Sequence, residues 1–106
     1  MAWIVLFIAG IFEVVWAFYM KQSDGFTRII PTTITLVAML ASVVLLSYSM
    51  KSISLGTAYT IWTGIGALGA FIVGILVLDE QSSPIRLLAA VLIVAGLVLM
   101  KLSSAD

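Results

Sequence analysis

Glu13 is an acidic residue in the middle of a long apolar segment that runs from Trp3 to Met20. It lies ten residues after Trp3, which corresponds to about 15 Å of α-helix and so to the middle of a hydrocarbon core about 30 Å thick. An ionised side chain at that depth costs at least about 2.5–3.5 kcal/mol. Intramembrane acids mark ion and proton pathways, so Glu13 is the candidate site for protons and a cation. The alternative is a protonated glutamate that hydrogen-bonds neighbouring helices together.

The neighbours of Glu13 on the same helical face are compatible with a cation site. Gly10 and Trp16 lie three residues before and after it, and residues at that spacing share a face of a helix. Gly10 has no side chain and leaves room for a ligand or a partner helix. Trp16 offers an aromatic ring on which a cation can stack. The alternative role for Trp16 is packing at the membrane interface.

Polar and aromatic residues on two other apolar segments can contribute to the same site. Ser42 lies near the middle of the second segment and can donate a hydrogen bond either to Glu13 or to a carbonyl of its own helix. Tyr59 and Trp62 share a face of the third segment. The Tyr59 hydroxyl can bond a carboxylate, and Trp62 can stack on a planar cation. For both aromatic residues, the alternative is a belt at the membrane–water interface.

The composition excludes an ordinary soluble enzyme. Hydrophobic residues make up 63% of the 106 residues and charged residues 9%, whereas soluble domains are typically about 45–50% apolar and about 25% charged. Five basic and five acidic residues cancel, so no basic surface is available for nucleic acid. The chain has no cysteine and no histidine, which removes disulfides, thiolate metal sites and the commonest general base. We therefore predict a membrane protein that is not an enzyme and has no metal site or cofactor.

Polar stretches divide the chain into four apolar segments, each close to the roughly 20 residues that a helix needs to cross a bilayer. Predicted helices cover residues 3–20, 29–50, 56–78 and 84–101. Asp24-Gly25 predicts a turn after the first helix. Ser83-Pro84 predicts the N-cap and first residue of the fourth. The predicted fold is all-α, with residues 1–106 forming one transmembrane domain.

Lysine and arginine residues are almost evenly divided between the two sides of the membrane. With four helices, Lys51 and Lys101 lie on one side, and Lys21, Arg28 and Arg86 lie on the other. Orientation follows an excess of these residues in cytoplasmic loops. A difference of one residue leaves two alternatives: insertion in both orientations, or a fixed orientation set by other factors. Insertion in both orientations would allow two copies to form an antiparallel homodimer.

Small residues on the last two helices predict close contacts. Gly66, Ala70 and Gly74 are spaced four residues apart, as in helices that approach each other closely in membranes. Gly64 and Gly66 can also loosen the third helix and act as a hinge. On the fourth helix, a packing surface that can serve a dimer is formed by Ala89, Ile93 and Gly96.

The chain resembles the small multidrug resistance family from end to end. The resemblance is carried by Glu13, by the loop Lys-Gln-Ser-Asp-Gly-Phe-Thr-Arg at residues 21–28, and by Gly-Thr-Ala-Tyr-Thr-Ile-Trp-Thr-Gly-Ile-Gly at residues 56–66. It implies an antiparallel, dual-topology homodimer in the bacterial cytoplasmic (inner) membrane. It also implies exchange of protons for small or aromatic cations at the central glutamate, which is Glu13 here.

Within that family, the segments at residues 10–16 and 62–66 resemble the guanidinium-exporter branch. The branch that exports polyaromatic drugs usually has a small residue in place of Trp16. The resemblance implies that Trp16 lines the site. It further implies that the glutamates are held or oriented by Ser42, Tyr59 and Trp62.

Thr60 departs from the guanidinium-exporter pattern, which commonly has alanine at that position. It adjoins the predicted binding face and can alter the range of substrates. Two alternative functions therefore stay open from the sequence. One is export of quaternary ammonium or aromatic drugs by the same fold, and the other is a non-transporting membrane subunit whose Glu13 pairs with a basic residue of a partner.

Overall fold

The computed structural model describes residues 1–104, which form four α-helices. These are α1 (Ala2–Gln22), α2 (Ile29–Ser49), α3 (Leu55–Leu76) and α4 (Pro84–Ser103). All four are long and apolar enough to cross a membrane. The predicted all-α architecture with four spanning helices is confirmed, and every predicted boundary lies within two residues of the observed one.

The end of α3 lies two residues before its predicted position. The helix stops at Leu76 rather than at residue 78, because backbone N–H groups beyond it bond carbonyls five or six residues earlier instead of four. Leu78 N donates to the Val73 carbonyl, and Glu80 N donates to the Gly74 carbonyl at 2.9 Å. Asp79 between them has φ +57°, a left-handed conformation that ends a helix. The apolar character of residues 77 and 78 does not reveal this turn.

The loop between α1 and α2 is organised around Ser23, which is completely buried. Its hydroxyl donates to the Met20 carbonyl at 2.6 Å and accepts from Phe26 N at 3.0 Å. Residues 24, 25 and 26 all have positive φ, which is easy for Gly25 but unfavourable for a bulky residue such as Phe26. The Asp-Gly turn predicted from the sequence is thus part of a longer left-handed segment that reverses the chain.

The starts of α3 and α4 lie at serines that precede each helix. Ser83 is the N-cap of α4 and accepts a hydrogen bond from Arg86 N at 3.2 Å, and Pro84 is the first helical residue, as predicted. Ser54 takes the same position before α3 and donates to the Thr57 hydroxyl at 3.0 Å. The Ser83 cap fixes where α4 begins because the first backbone N–H groups of a helix have no partner within it.

The four helices form a flat layer rather than a closed bundle. The Cα atoms extend over 43 × 35 × 17 Å, and the order in space is α2, α1, α3, α4. Helix α1 packs along both α2 and α3, whereas the backbone of α4 lies close to that of α3 alone among the described helices. The Lys101 ammonium group, 4.3 Å from the centre of the Trp3 ring, is a further contact between α4 and the rest of the chain.

The buried core lies at one end of the helical layer, where α1, α2 and α3 meet. Its members are Leu6, Ala9, Leu46, Ile53, Ala58, Ile61 and Trp62. No residue of α1 beyond Gly10 is buried, and α4 contributes no buried residue. Glu13 therefore lies where close packing of α1 gives way to an open surface, and one chain alone leaves most of its apolar side chains uncovered.

Candidate functional site

The Glu13 side chain extends from α1 onto the backbone of α3 at Gly66. A Cβ atom built at Gly66 would collide with the Glu13 carboxyl group, so the absence of a side chain there provides the space that the carboxyl group fills. Gly66 itself is buried. The glycine predicted to be a hinge or packing residue is thus also a wall of the glutamate site, and α3 continues through it as an unbroken helix.

Glu13 and Trp16 each carry a buried polar atom without a hydrogen-bond partner. Among residues 1–104, Glu13 Oε1 and Trp16 Nε1 are two of three such side-chain atoms, and Thr32 Oγ1 is the third. Native structures satisfy most buried polar atoms, so an unpartnered acceptor and donor three residues apart on one helical face are candidates for contact with a ligand or a second chain. The Glu13 oxygen is complementary to a donor, such as a cationic N–H group or a bound proton, whereas the Trp16 N–H is complementary to an acceptor.

A hydrogen-bonded chain joins α1, α2 and α3 one helical turn before Glu13. Trp62 Nε1 donates to Ser42 Oγ at 2.9 Å, and Ser42 Oγ donates to the Ala9 carbonyl at 2.7 Å. Ser42 is completely buried and Trp62 is 8% exposed. Ser42 thus bonds neither Glu13 nor its own helix in this structure. It fixes the position of α1 just before Glu13 and orients the Trp62 indole.

Replacing Ser42 with alanine is expected to lower the free energy of unfolding by about 1–3 kcal/mol, because the Trp62 N–H would then be buried without an acceptor. Ser49→Ala is the matched control: Ser49 is equally buried on α2 but donates only within its own helix, to the Leu46 carbonyl at 2.7 Å. Unfolding in a titration with sodium dodecyl sulfate, followed by circular dichroism, measures both. Equal losses for the two variants would contradict a linking role for Ser42.

Tyr59 and Thr60 lie on the exposed part of α3. Tyr59 is 53% exposed, and the centre of its ring lies 5.4 Å from that of Trp62 with the ring planes 46° apart. Thr60 is exposed, and both residues line a groove of about 560 Å³ between α3 and α4. The structure therefore brings Tyr59 next to Trp62, and neither Tyr59 nor Thr60 touches Glu13 through a hydrogen bond within residues 1–104.

The remaining predicted residues fall into two groups. Gly10 and Gly64 are buried positions of close approach, where an added Cβ would collide with Ile65 and Leu97 respectively. Gly10 therefore admits a side chain of α3, and Gly64 brings α4 close to α3. On α4, the predicted packing residues Ala89, Ile93 and Gly96 are all exposed, and no atom lies within 4 Å of a Cβ built at Gly96.

Ala9 is a small residue beside Glu13 that the sequence predicts to leave room for a ligand or a partner helix. It is small, fully buried, and its carbonyl accepts the Ser42 hydrogen bond. Its position one turn before an intramembrane acid indicates a helix contact, but the partner on α2 follows only from the three-dimensional structure. Gly69 is similar, since a Cβ there would collide with Val14 next to Glu13.

Known proteins resemble this chain over most of its length. Residues 1–93 match the family model described as Small Multidrug Resistance protein. The chain belongs to the small multidrug resistance family. Among its relatives are proteins named guanidinium exporter from Citrobacter freundii, 56% identical over 104 residues, and from Salmonella typhimurium strain LT2, 57% identical over the same length. The protein of that name from Yersinia pseudotuberculosis is also 57% identical, and the alignment covers 98% of this chain and 100% of that protein.

Membership of the small multidrug resistance family confirms the resemblance found in the sequence. The family and the names of its relatives indicate a transporter rather than an enzyme, and the four apolar helices make it a multi-pass membrane protein. The family model spans α1, α2, α3 and the first half of α4. All the residues that surround Glu13 in the structure therefore lie inside the matched region.

Proposed function

We propose that this protein is a proton-coupled antiporter that exports guanidinium and small guanidinyl cations across the bacterial cytoplasmic membrane. The observation that carries the proposal is the Glu13 carboxyl group, which lies against Gly66 with a buried, unpartnered oxygen. Relatives named guanidinium exporter share 56–57% identity over nearly the whole chain and support the choice of substrate.

The chemistry of guanidinium suits the groups around Glu13. The cation is planar, permanently charged, and presents parallel N–H donors that match the two oxygens of a carboxylate. Its flat face stacks on aromatic rings, and Trp16 lies on the same face of α1 as Glu13. Trp62, whose indole N–H donates to Ser42 and whose ring is tilted against that of Tyr59, provides a second aromatic surface on α3. A bulky side chain at Trp16 also narrows the site, which favours a small cation.

Two copies in opposite orientations would complete the site. A single chain is a flat layer 17 Å thick whose α4 has no buried residue, so its apolar surface is matched by a second chain or by lipid. The nearly balanced distribution of basic residues permits insertion both ways round. We therefore propose an antiparallel homodimer in which Ala89, Ile93 and Gly96 pack between subunits and two Glu13 residues share one binding site.

Transport then follows from competition at the two carboxylates. A guanidinium ion binds to the protonated pair in exchange for its protons, which leave to the side that the site faces. The dimer changes conformation so that the site faces the other side, with Gly64 and Gly66 as the proposed points of flexibility in α3. Protons entering from that side displace the cation, and their downhill movement drives export. In a symmetric antiparallel dimer the two end states are equivalent, which removes any free-energy difference between them.

Currents on a solid-supported membrane test the choice of substrate. Guanidinium is expected to give a transport current in proteoliposomes at a concentration at which tetrapropylammonium gives none, because the site is narrow and matches a planar donor. Thr60→Ala is the matched variant and is expected to leave the guanidinium current unchanged.

Any other pattern of currents would favour one of the two alternative functions. Equal currents for the two cations would replace the proposal with a broad exporter of quaternary ammonium and aromatic cations. That reading is favoured by one observation, the exposure of Thr60 in the groove of about 560 Å³. If folded protein gave no current with either cation, the result would favour the alternative of a non-transporting membrane subunit.

A further inference from the structure

A groove separate from the Glu13 site lies between α1 and α3 and opens at the membrane face where α1 ends and α4 begins. It encloses about 340 Å³. Its apolar walls are Val14, Ala17, Phe18, Ala67, Ala70, Phe71, Val73, Gly74 and Leu78. The residues at its mouth are Lys21, Glu80 and Arg86.

The two basic residues at the mouth have no acidic partner. Lys21 is in the last turn of α1 and Arg86 is in the first turn of α4, and neither forms an ion pair with any residue in the described range 1–104. The Arg86 guanidinium group lies 5.5 Å from the centre of the Phe71 ring, on the wall of the groove. Glu80 points back toward Gly74, where an added Cβ would meet its carboxyl oxygen. The residues that line the mouth therefore carry two positive charges and one negative charge, and the neighbouring Asp79 is exposed and does not line the groove.

The geometry points to a binding site for an anionic phospholipid, with the phosphate group between Lys21 and Arg86 and one acyl chain in the groove. The groove extends from Lys21 to Val14, seven residues along α1 or about 10 Å. That is about a third of the hydrocarbon thickness, starting at the interface where headgroups lie. Basic residues at this level attract anionic lipids, and the net positive mouth favours a lipid with net negative charge over a zwitterionic one.

Lipid binding to the purified, delipidated protein tests this proposal by native mass spectrometry. Phosphatidylglycerol is expected to bind more tightly than phosphatidylcholine to the wild type. Lys21→Gln and Arg86→Gln are each expected to weaken phosphatidylglycerol binding roughly fivefold, the factor that about 1 kcal/mol per basic residue corresponds to. Arg28→Gln is the control, since it removes one positive charge from the same membrane face without lining the groove. Equal binding of the two lipids, or an equal loss in Arg28→Gln, would overturn the proposal.

A second measurement identifies what occupies the groove, using phosphatidylglycerol with a photoactivatable diazirine in its acyl chain. Labels are expected within residues 14–18 of α1 and 70–74 of α3. Labelling confined to other surfaces, with these segments protected, would overturn the proposal and indicate that a second copy covers the groove. Neither measurement depends on transport, so these experiments test the lipid site separately from the proposed antiport function.

Discussion

Replacing Glu13 with glutamine is expected to abolish proton-driven guanidinium uptake into liposomes, reducing it to the level of empty vesicles. Glutamine has nearly the same shape but cannot hold a charge, so it can neither pair with the cation nor bind and release a proton. Its amide fits the same space beside Gly66, and the fold is expected to persist. Uptake of labelled guanidinium driven by an imposed pH gradient measures the effect, and circular dichroism verifies the helical content.

Glu80→Gln is the matched control for this variant. It makes the same chemical change at an exposed residue of the loop between α3 and α4, far along the chain from the proposed cation site. Uptake by Glu80→Gln is expected to equal that of the wild type. Proton-coupled uptake that survived in Glu13→Gln would remove the basis of the proposed mechanism.

Replacing Gly66 with alanine has the second largest expected effect on transport. The new methyl group would occupy the space of the Glu13 carboxyl group and force that flexible side chain to turn away. Hydrogen bonds to charged groups contribute about 1.5–3 kcal/mol, so a misplaced carboxylate should weaken guanidinium binding by about tenfold to a hundredfold. Isothermal titration calorimetry with guanidinium measures the loss, and uptake should fall in parallel.

Gly56→Ala controls for the general effect of replacing glycine in α3. Gly56 is exposed in the first turn of the same helix, and nothing lies within 4 Å of a Cβ built there. Both variants gain about the same helix propensity, so only Gly66→Ala should lose affinity. Unchanged affinity in Gly66→Ala would mean that the carboxyl group does not need this position to bind the cation.

The four spanning helices could be predicted from the sequence because a bilayer imposes a simple rule of length and polarity. Glu13 could be proposed as the functional residue for a related reason, since a charged residue inside a membrane is costly. Ser83 and Pro84 mark the start of α4 by local chemistry alone. In these cases one property of a short segment decides the structure.

Contacts between helices could not be predicted in the same way. The partner of Ser42 is the Ala9 carbonyl, a backbone group that sequence does not distinguish from any other. The stripe of small residues on α3 predicts close helix packing, yet the space at Gly66 and Gly74 is filled by the carboxyl groups of Glu13 and Glu80. Small size indicates that something approaches closely, and the sequence alone does not say what.

Proton release upon guanidinium binding tests most directly whether a cation and protons compete for Glu13. Purified protein in weakly buffered detergent solution, with a pH-sensitive dye, is mixed with guanidinium chloride at matched ionic strength. The wild type is expected to release protons in a saturable manner, with the same half-saturation as in calorimetric binding, while Glu13→Gln releases none. Binding of guanidinium without proton release by the wild type, or equal release by Glu13→Gln, would contradict the proposed competition.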